Sequence, residues 1–284
     1  MPYGPPPGGV LGPLSRLREI IAAVKPDRLV VGLSERRQTP PIYELLDLRF
    51  SGVWVEEVAS LYETVFHRVC VNELRPAQLI FSSSLGPQHH NLQLQNLYST
   101  LIALVGILLT WPFMILAAAT VKLSSPGPIL FGQTRVGWRD KPFTVYKFRS
   151  MRTDAEAATG AMWAQENDPR VTHLGRWLRL LRLDELPQLF NVLKGDMVIV
   201  GPRPERPEFV TALKEQIPFY SQRHSVKPGI TGWAQINYKH GNTFEDAVRE
   251  LEYDLYCIKN VSPWLDFYIM LRTARAMPAG QGAQ

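Results

Sequence analysis

The chain opens on a helical period: Leu14, Leu17, Ile21 and Val24 fall three and four residues apart, and Lys25-Pro26-Asp27 ends the run. Two short apolar runs of strand type follow, RLVVGL at 28–33 and GVWVEEV at 52–58, with a second helix expected near Pro41–Leu48 between them. The order helix–strand–helix–strand predicts an α/β unit over residues 13–86, half of a parallel, doubly wound sheet. It carries no GxGxxG turn, so nothing in it points to a dinucleotide. The polar stretch SSSLGPQHHNLQLQN at 82–96 then marks a boundary.

After that boundary the pattern changes. Residues 101–121, LIALVGILLTWPFMILAAATV, contain no charge and are long enough to cross a hydrocarbon layer of about 30 Å. Trp111-Pro112 falls near the middle, and a proline removes a backbone donor and kinks a helix. The expectation is therefore a helix that enters the membrane, breaks at Pro112 and returns to the same face, with a straight transmembrane span and a buried core helix as the alternatives. Lys122, Arg135, Arg139, Lys141, Lys147, Arg149 and Arg152 follow at once, which marks that face as cytoplasmic and suits anionic head groups. PILFGQTRVG and FTVYKFRSM alternate as a β-hairpin around a polar turn at 138–141. Near the end, Thr243 with Asp246 forms a capping-box pattern for a helix to about Asn260, and Ser262-Pro263 opens another. That last helix, WLDFYIMLRTARAM, suits an interfacial position and a core position equally.

Composition adds limits. Of 284 residues, 45% are hydrophobic and 20% charged, which excludes a disordered chain. The net charge of +5 fits nucleic acid, an anionic membrane or phosphorylated substrates without choosing among them. No nucleic-acid recognition motif is present, and the basic residues cluster beside the apolar segment, so nucleic acid is not an expected partner. Cys70 and Cys257 lack CxxC spacing, which fits a reducing compartment better than a disulfide framework. The start, MPYGPPPGGV, reads as a loop or linker, with neither a basic nor an apolar leader region.

The chemistry concentrates in RLDELPQL. Asp184 and Glu185 follow a segment whose charges are Arg176, Arg179 and Arg182, and Pro187 tolerates only the first turn of a helix. A helix is expected to begin around 184–186 and run to Lys194, with Gly195 at its end. Asp184 would then sit at a positive helix terminus among arginines, and both effects favour a carboxylate able to attack phosphorus. A capping Asp beside a solvated Glu is the plain alternative. Arg203, between Pro202 and Pro204, would recognise an anion through its guanidinium alone. Lys147 and Arg149 in YKFRSM and Lys227 in KPGITGWAQIN complete a basic pocket fit for a diphosphate and a lipid phosphate. Diphosphate chemistry recruits Mg²⁺, and Glu185 is the candidate ligand. The histidines show no ligand spacing.

LDELPQLFNVLKGDM, VGPRP, KPGITGWAQIN and PFTVYKFRSM resemble the bacterial sugar transferases, the monotopic polyprenyl-phosphate phosphoglycosyltransferases, from about residue 97 to 277. The resemblance implies transfer of a sugar-1-phosphate from a UDP-sugar to polyprenyl (undecaprenyl) phosphate, with UMP released and a surface glycan begun. It implies that Asp184 is the nucleophile of a covalent phosphosugar intermediate and that Glu185 supports Mg²⁺. Arg179, Arg203 and Lys227 match phosphate- and nucleotide-binding positions, and Pro112 matches the break of a re-entrant membrane helix. Where the family often has serine before that proline, this chain has Trp111, with Thr110 one residue back. GGVLGPLSRLREII, RLVVGL and GVWVEEVASLYE resemble the tail of a Rossmann-like module in long exopolysaccharide-type members, here without the transmembrane helices that usually open them.

The expected organisation is an α/β chain in four parts. A partial Rossmann-like module covers 1–86, and a linker with the re-entrant helix covers 87–122. A mostly helical α+β catalytic domain with a small hairpin fills 123–277, and 278–284 forms a disordered tail. The expected setting is the bacterial inner membrane with the catalytic domain on the cytoplasmic face; the oligomeric state stays open, with a homodimer one option because the long members often pair. A membrane-docked scaffold without catalysis is the alternative function, and the intact Asp184-Glu185 pair argues against it.

Overall fold

The computed structural model describes residues 9–32, 42–71, 74, 89–153, 155, 160, 168–238, 241 and 243–276. They form two compact units that divide between His67 and Arg68. The polar stretch at 82–96 suggested a later boundary, but Val69 and Val71 are already buried in the second unit's core beside Leu213 and Leu251. The expected tail at 278–284 and the residues just before His89 lie outside the described residues.

In the first unit a 3-10 turn, Leu14–Arg16, leads into α1, Leu17–Val24. Lys25 closes α1 in the left-handed region, its N–H bonding the Ile21 carbonyl. Strand β1, Arg28–Val31, pairs in parallel with β2, Trp54–Glu57, across helix α2, Ile42–Phe50. Helix α3, Val58–Phe66, continues directly from β2. The strands sit where the apolar runs predicted them, and the unit is mixed helix and strand.

The second unit begins with α4, His89–Ser124, a single helix of 36 residues with Pro112 inside it. At 1.5 Å per residue it is about 54 Å long. The expected break is not there: Pro112 cannot donate to the Leu108 carbonyl, yet the helix continues through it. Losing one hydrogen bond does not end a helix that is held on both sides of the gap. Upstream, Gln95 Nε2 donates to the Val200 carbonyl at 3.1 Å and to Asp266 Oδ2 at 2.7 Å. Downstream, Arg149 donates to the carbonyls of Val121, Ser125 and Pro126. Between them Thr110 bonds back to the Gly106 carbonyl, and Gly106 lets the Leu189 side chain approach. One stripe of α4 (Gln95, Ser99, Ala103, Ala117, Val121) is thus buried on the second unit, while Leu97, Leu101, Leu108, Leu109, Phe113 and Leu116 stay exposed.

Antiparallel strands β3, Leu130–Val136, and β4, Pro142–Phe148, form the expected hairpin. Helix α5, His173–Leu180, and helix α6, Gln188–Lys194, flank a 3-10 turn at Leu183–Glu185. Strand β5, Val198–Val200, pairs in parallel with β6, Gly229–Thr231. Helix α7, Pro207–Gln216, lies between them in the chain, and α8, Trp233–Asn237, follows β6. Helices α9, Phe244–Lys259, and α10, Pro263–Ala276, complete the unit, and α9 carries the expected capping box of Thr243 and Asp246.

Two contacts fix the part of this unit around β4. The side-chain amide of buried Asn191 accepts from the Tyr146 N–H at 3.1 Å and donates to the Thr144 carbonyl at 2.7 Å, so α6 serves β4 as a neighbouring strand would. Gly175 brings α5 against the end of β4, where an added Cβ would lie 2.0 Å from the Ser150 carbonyl oxygen. Gly175→Ala must push α5 outward, and overpacking of this kind costs about 1–3 kcal/mol. A thermal or denaturant melt is expected to show that loss, and a melt unchanged from the parent would show that α5 is not seated as described.

Candidate active site

The Asp184-Glu185 turn is made by an abrupt change of direction. Helix α5 starts under a Thr172 cap that accepts from the Gly175 N–H. It ends at Leu181, and Arg182 adopts a left-handed conformation, φ 52 and ψ 22. A non-glycine residue there costs about 1 kcal/mol or more, held by the packing on either side. The chain then turns through Leu183–Glu185, and Pro187 precedes the first turn of α6, which Gly195 closes in the left-handed region. The helix expected from about residue 184 thus starts four residues later, and the carboxylates lie in the 3-10 turn. Asp184 is buried, with 6% of its surface exposed.

Three cations converge on Glu185. Lys147 Nζ, from β4, lies 3.0 Å from Oε1. Arg182 reaches Oε2 at 3.5 Å, and Arg203 Nη2 stands 3.9 Å from Oε1. Arg179 donates from Nε to Ser150 Oγ at 3.0 Å, and its positive charge acts on Asp184.

Burial opposes the charge on both carboxylates, but their neighbours divide them. For Glu185 the charges of Lys147, Arg203 and Arg182 outweigh burial and bring its carboxyl down to about 2. For Asp184 burial comes first and the Glu185 charge adds to it; together they hold its carboxyl above the usual range, against Lys147 and Arg179. The sequence led us to expect that a helix terminus and arginines would hold Asp184 ionised. Instead it lies in a buried turn beside a second anion, and the cations it shares are taken first by Glu185.

The structure brings Asp184, Glu185, Lys147, Arg179 and Arg203 together. It places the other candidates elsewhere. Arg149 is buried at the end of α4, where its guanidinium donates to three carbonyls and to Ser125 Oγ, a structural tie. Lys227 faces Asp196 beside Gly195, at the far end of α6 from the carboxylate pair. Pro112 lies on α4. Two contributors were not singled out from the sequence. Arg182 could have been, from its position before LDE. Ser150 had no signal, because its role is to accept from a side chain 29 residues away.

Among the described residues no group of three or more His, Cys, Asp or Glu side chains could hold a metal ion by itself. Two adjacent carboxylates do meet the lesser requirement of Mg²⁺, which takes one or two protein oxygens and completes its shell with phosphate oxygens and water. The cations facing Glu185 oppose a bare divalent ion.

A family model described as bacterial sugar transferase matches residues 90–280. The UDP-N-acetylgalactosamine-undecaprenyl-phosphate N-acetylgalactosaminephosphotransferase of Aeromonas hydrophila is 44% identical over 230 residues, 81% of this chain and 53% of that protein. The UDP-glucose:undecaprenyl-phosphate glucose-1-phosphate transferase of Escherichia coli K12 is 37% identical over 280 residues, 95% of this chain and 60% of that protein. A transferase of the same name from Xanthomonas campestris pv. campestris is 47% identical over 183 residues, 64% of this chain and 37% of that protein. The chain thus spans only part of the length of these relatives. The matched region holds α4, the carboxylate turn and every cation that faces it, and the chain belongs to the bacterial sugar transferase family.

Proposed function

We propose that this chain transfers a sugar-1-phosphate from a UDP-sugar to undecaprenyl phosphate through a covalent intermediate on Asp184. The observation that carries the reading is the buried Asp184-Glu185 turn inside a ring of Lys147, Arg179, Arg182 and Arg203. Such a ring of cations around two carboxylates suits an anionic substrate such as the diphosphate of a UDP-sugar. The apolar helix α4 beside that ring supports a lipid acceptor.

In the first step a carboxylate oxygen of Asp184 attacks the β-phosphorus of the UDP-sugar. The bond to the bridging oxygen breaks, and UMP leaves with that oxygen. In the second step a phosphate oxygen of the lipid attacks the same phosphorus, and the acyl–phosphate bond breaks to regenerate the Asp184 carboxylate. Glu185 keeps Lys147, Arg182 and Arg203 in place, and these cations neutralise charge on the phosphate oxygens as it builds. Burial of Asp184 keeps water from the adduct. Glu185, with Asp184 beside it, would hold Mg²⁺, which when bound neutralises phosphate charge.

Both ends of α4 rest on the same unit, which supports a helix that enters the bilayer and does not carry the chain across it. The charges after it favour the cytoplasmic face of the bacterial inner membrane. The parallel pair β1–β2 with its helical crossover supports a partial Rossmann-like module in the first unit. Two of the relatives are named for N-acetylgalactosamine and glucose transfer, so UDP-N-acetylgalactosamine and UDP-glucose are the first donors to try.

With detergent-solubilised protein, Mg²⁺, undecaprenyl phosphate and those donors, UMP release is expected. Asp184→Asn should lower it at least ~1,000-fold. A variant that retains activity would rule out the covalent route. The pH profile offers a second check. Because burial and Glu185 raise the Asp184 carboxyl, the ionised fraction falls as pH drops through a point above the usual carboxylate range of about 4. Lys147 opposes that rise, so Lys147→Gln should move the acid limb of kcat/KM to higher pH. A limb that stays in place would remove Lys147 from the charge balance. Finally, the chain should sediment with membranes and be released by detergent but not by salt; recovery in the soluble fraction would contradict the role of α4.

A further inference from the structure

The cations around Glu185 differ in how they are presented. Arg203 has the most exposed side chain of the three, 35%, against 26% for Lys147 and 23% for Arg182. At 3.9 Å from Oε1 it stands beyond hydrogen-bonding distance of Glu185, close enough for attraction and open to an incoming anion. Its flanking prolines have no N–H, so the loop cannot be held by its own donors at 202 and 204.

It is held through its carbonyls instead. The Pro202 carbonyl accepts from the Gly229 N–H at 2.9 Å. The Arg203 carbonyl accepts from Arg223 Nη2 at 3.0 Å, and the Pro204 carbonyl from Arg135 Nη1 at 3.1 Å. The Glu205 carbonyl accepts from the Val136 N–H at 2.8 Å. Four consecutive carbonyls thus meet four donors, two of them guanidinium groups. Each guanidinium is itself fixed. Arg223 is buried and also donates to Asp254 Oδ2 at 2.8 Å and to the Tyr220 hydroxyl at 2.5 Å. Arg135 also donates to Gln133 Oε1, at 2.9 Å from Nε and 2.6 Å from Nη2, and from Nη1 to Glu205 Oε1 at 3.2 Å.

We propose that Arg223 and Arg135 are positioning residues that act through the backbone of Arg203 and aim its guanidinium at the diphosphate. The inference rests on the transferase reading above. A planar fork serves several acceptors in fixed directions, and an ammonium point charge does not. Replacing either arginine by lysine keeps the charge and loosens the loop. A reacting group displaced by about 1 Å can cost on the order of a hundredfold in rate.

The test is a double-mutant cycle on kcat/KM for UMP release. Arg223→Lys and Arg135→Lys are each made in the parent and in an Arg203→Ala background. In the parent each should lose between about tenfold and a hundredfold. In the Arg203→Ala background neither should cost more, because the group they aim is gone. An equal loss in both backgrounds overturns the inference and leaves a purely structural role. Arg203→Ala with the parent's activity overturns it as well, since nothing would then need aiming. If Arg223→Lys does not fold, Arg135→Lys carries the cycle. Hydrogen exchange gives a reading independent of turnover: the amides of Val136 and Gly229, which donate to this loop's carbonyls, and of Arg206, which donates to Glu205, should exchange faster in both lysine variants while α10 keeps its protection. Unchanged exchange overturns the positioning role. Absence of UMP release by the parent overturns the transferase reading instead, and exchange then decides the positioning alone.

Discussion

The side chain of Asn191 ties the strand that carries Lys147 to the helix that follows the carboxylate turn. Among the described residues strand β4 has a hairpin partner on one side only, and its other edge would leave the Tyr146 N–H and the Thr144 carbonyl, at the margin of the core, without a protein partner. A buried backbone group without a partner costs about 1–3 kcal/mol. Asn191 meets both with one amide, and an amide is the side chain that can accept and donate at once. Lys147 follows Tyr146 on β4, and Asp184-Glu185 sits just before α6. The same two hydrogen bonds therefore set the distance between the cation and the carboxylates it faces.

Burial then separates two chemically similar groups. In water the two carboxyls would titrate almost together. In the turn, Glu185 takes the close contacts with Lys147, Arg182 and Arg203 and keeps its charge well into acid. Asp184 lies deeper, with the Glu185 charge beside it, and binds a proton more readily than usual. Among the described residues one carboxylate gathers cations within 4 Å and the other makes no such ion pair. That is the division needed if one residue is to form a bond to phosphorus while its neighbour keeps the site assembled.

The long helix α4 joins this site to an apolar surface. Its small and polar positions (Gln95, Ser99, Ala103, Gly106) let the second unit approach closely, and its large apolar positions face away. Arg149, expected with Lys147 in a basic pocket, donates to the carbonyl of Val121 in this helix and to those of Ser125 and Pro126 just past its end. A guanidinium is well suited to collect several carbonyls where a helix ends and the chain turns away. The arginine is thereby tied to the turn that follows the helix.

Much was legible in the sequence because it depends on near neighbours. The strand runs at 28–33 and 52–58, the hairpin, the Thr243 cap and the uncharged stretch at 101–121 are statements about residues a few positions apart. The carboxylate pair, its arginines and the proline-flanked Arg203 were visible as chemistry for the same reason. What required the tertiary structure depends on residues far apart in the chain: Lys147 and Glu185 meet across 38 positions, and Arg223 and Arg203 across 20. Which basic residues face the carboxylates, why Arg149 and Lys227 do not, how deeply Asp184 is buried, and whether Pro112 breaks its helix were all decided by packing. Hydrophobic period is a local property of the chain, whereas burial and electrostatic environment belong to the assembled fold.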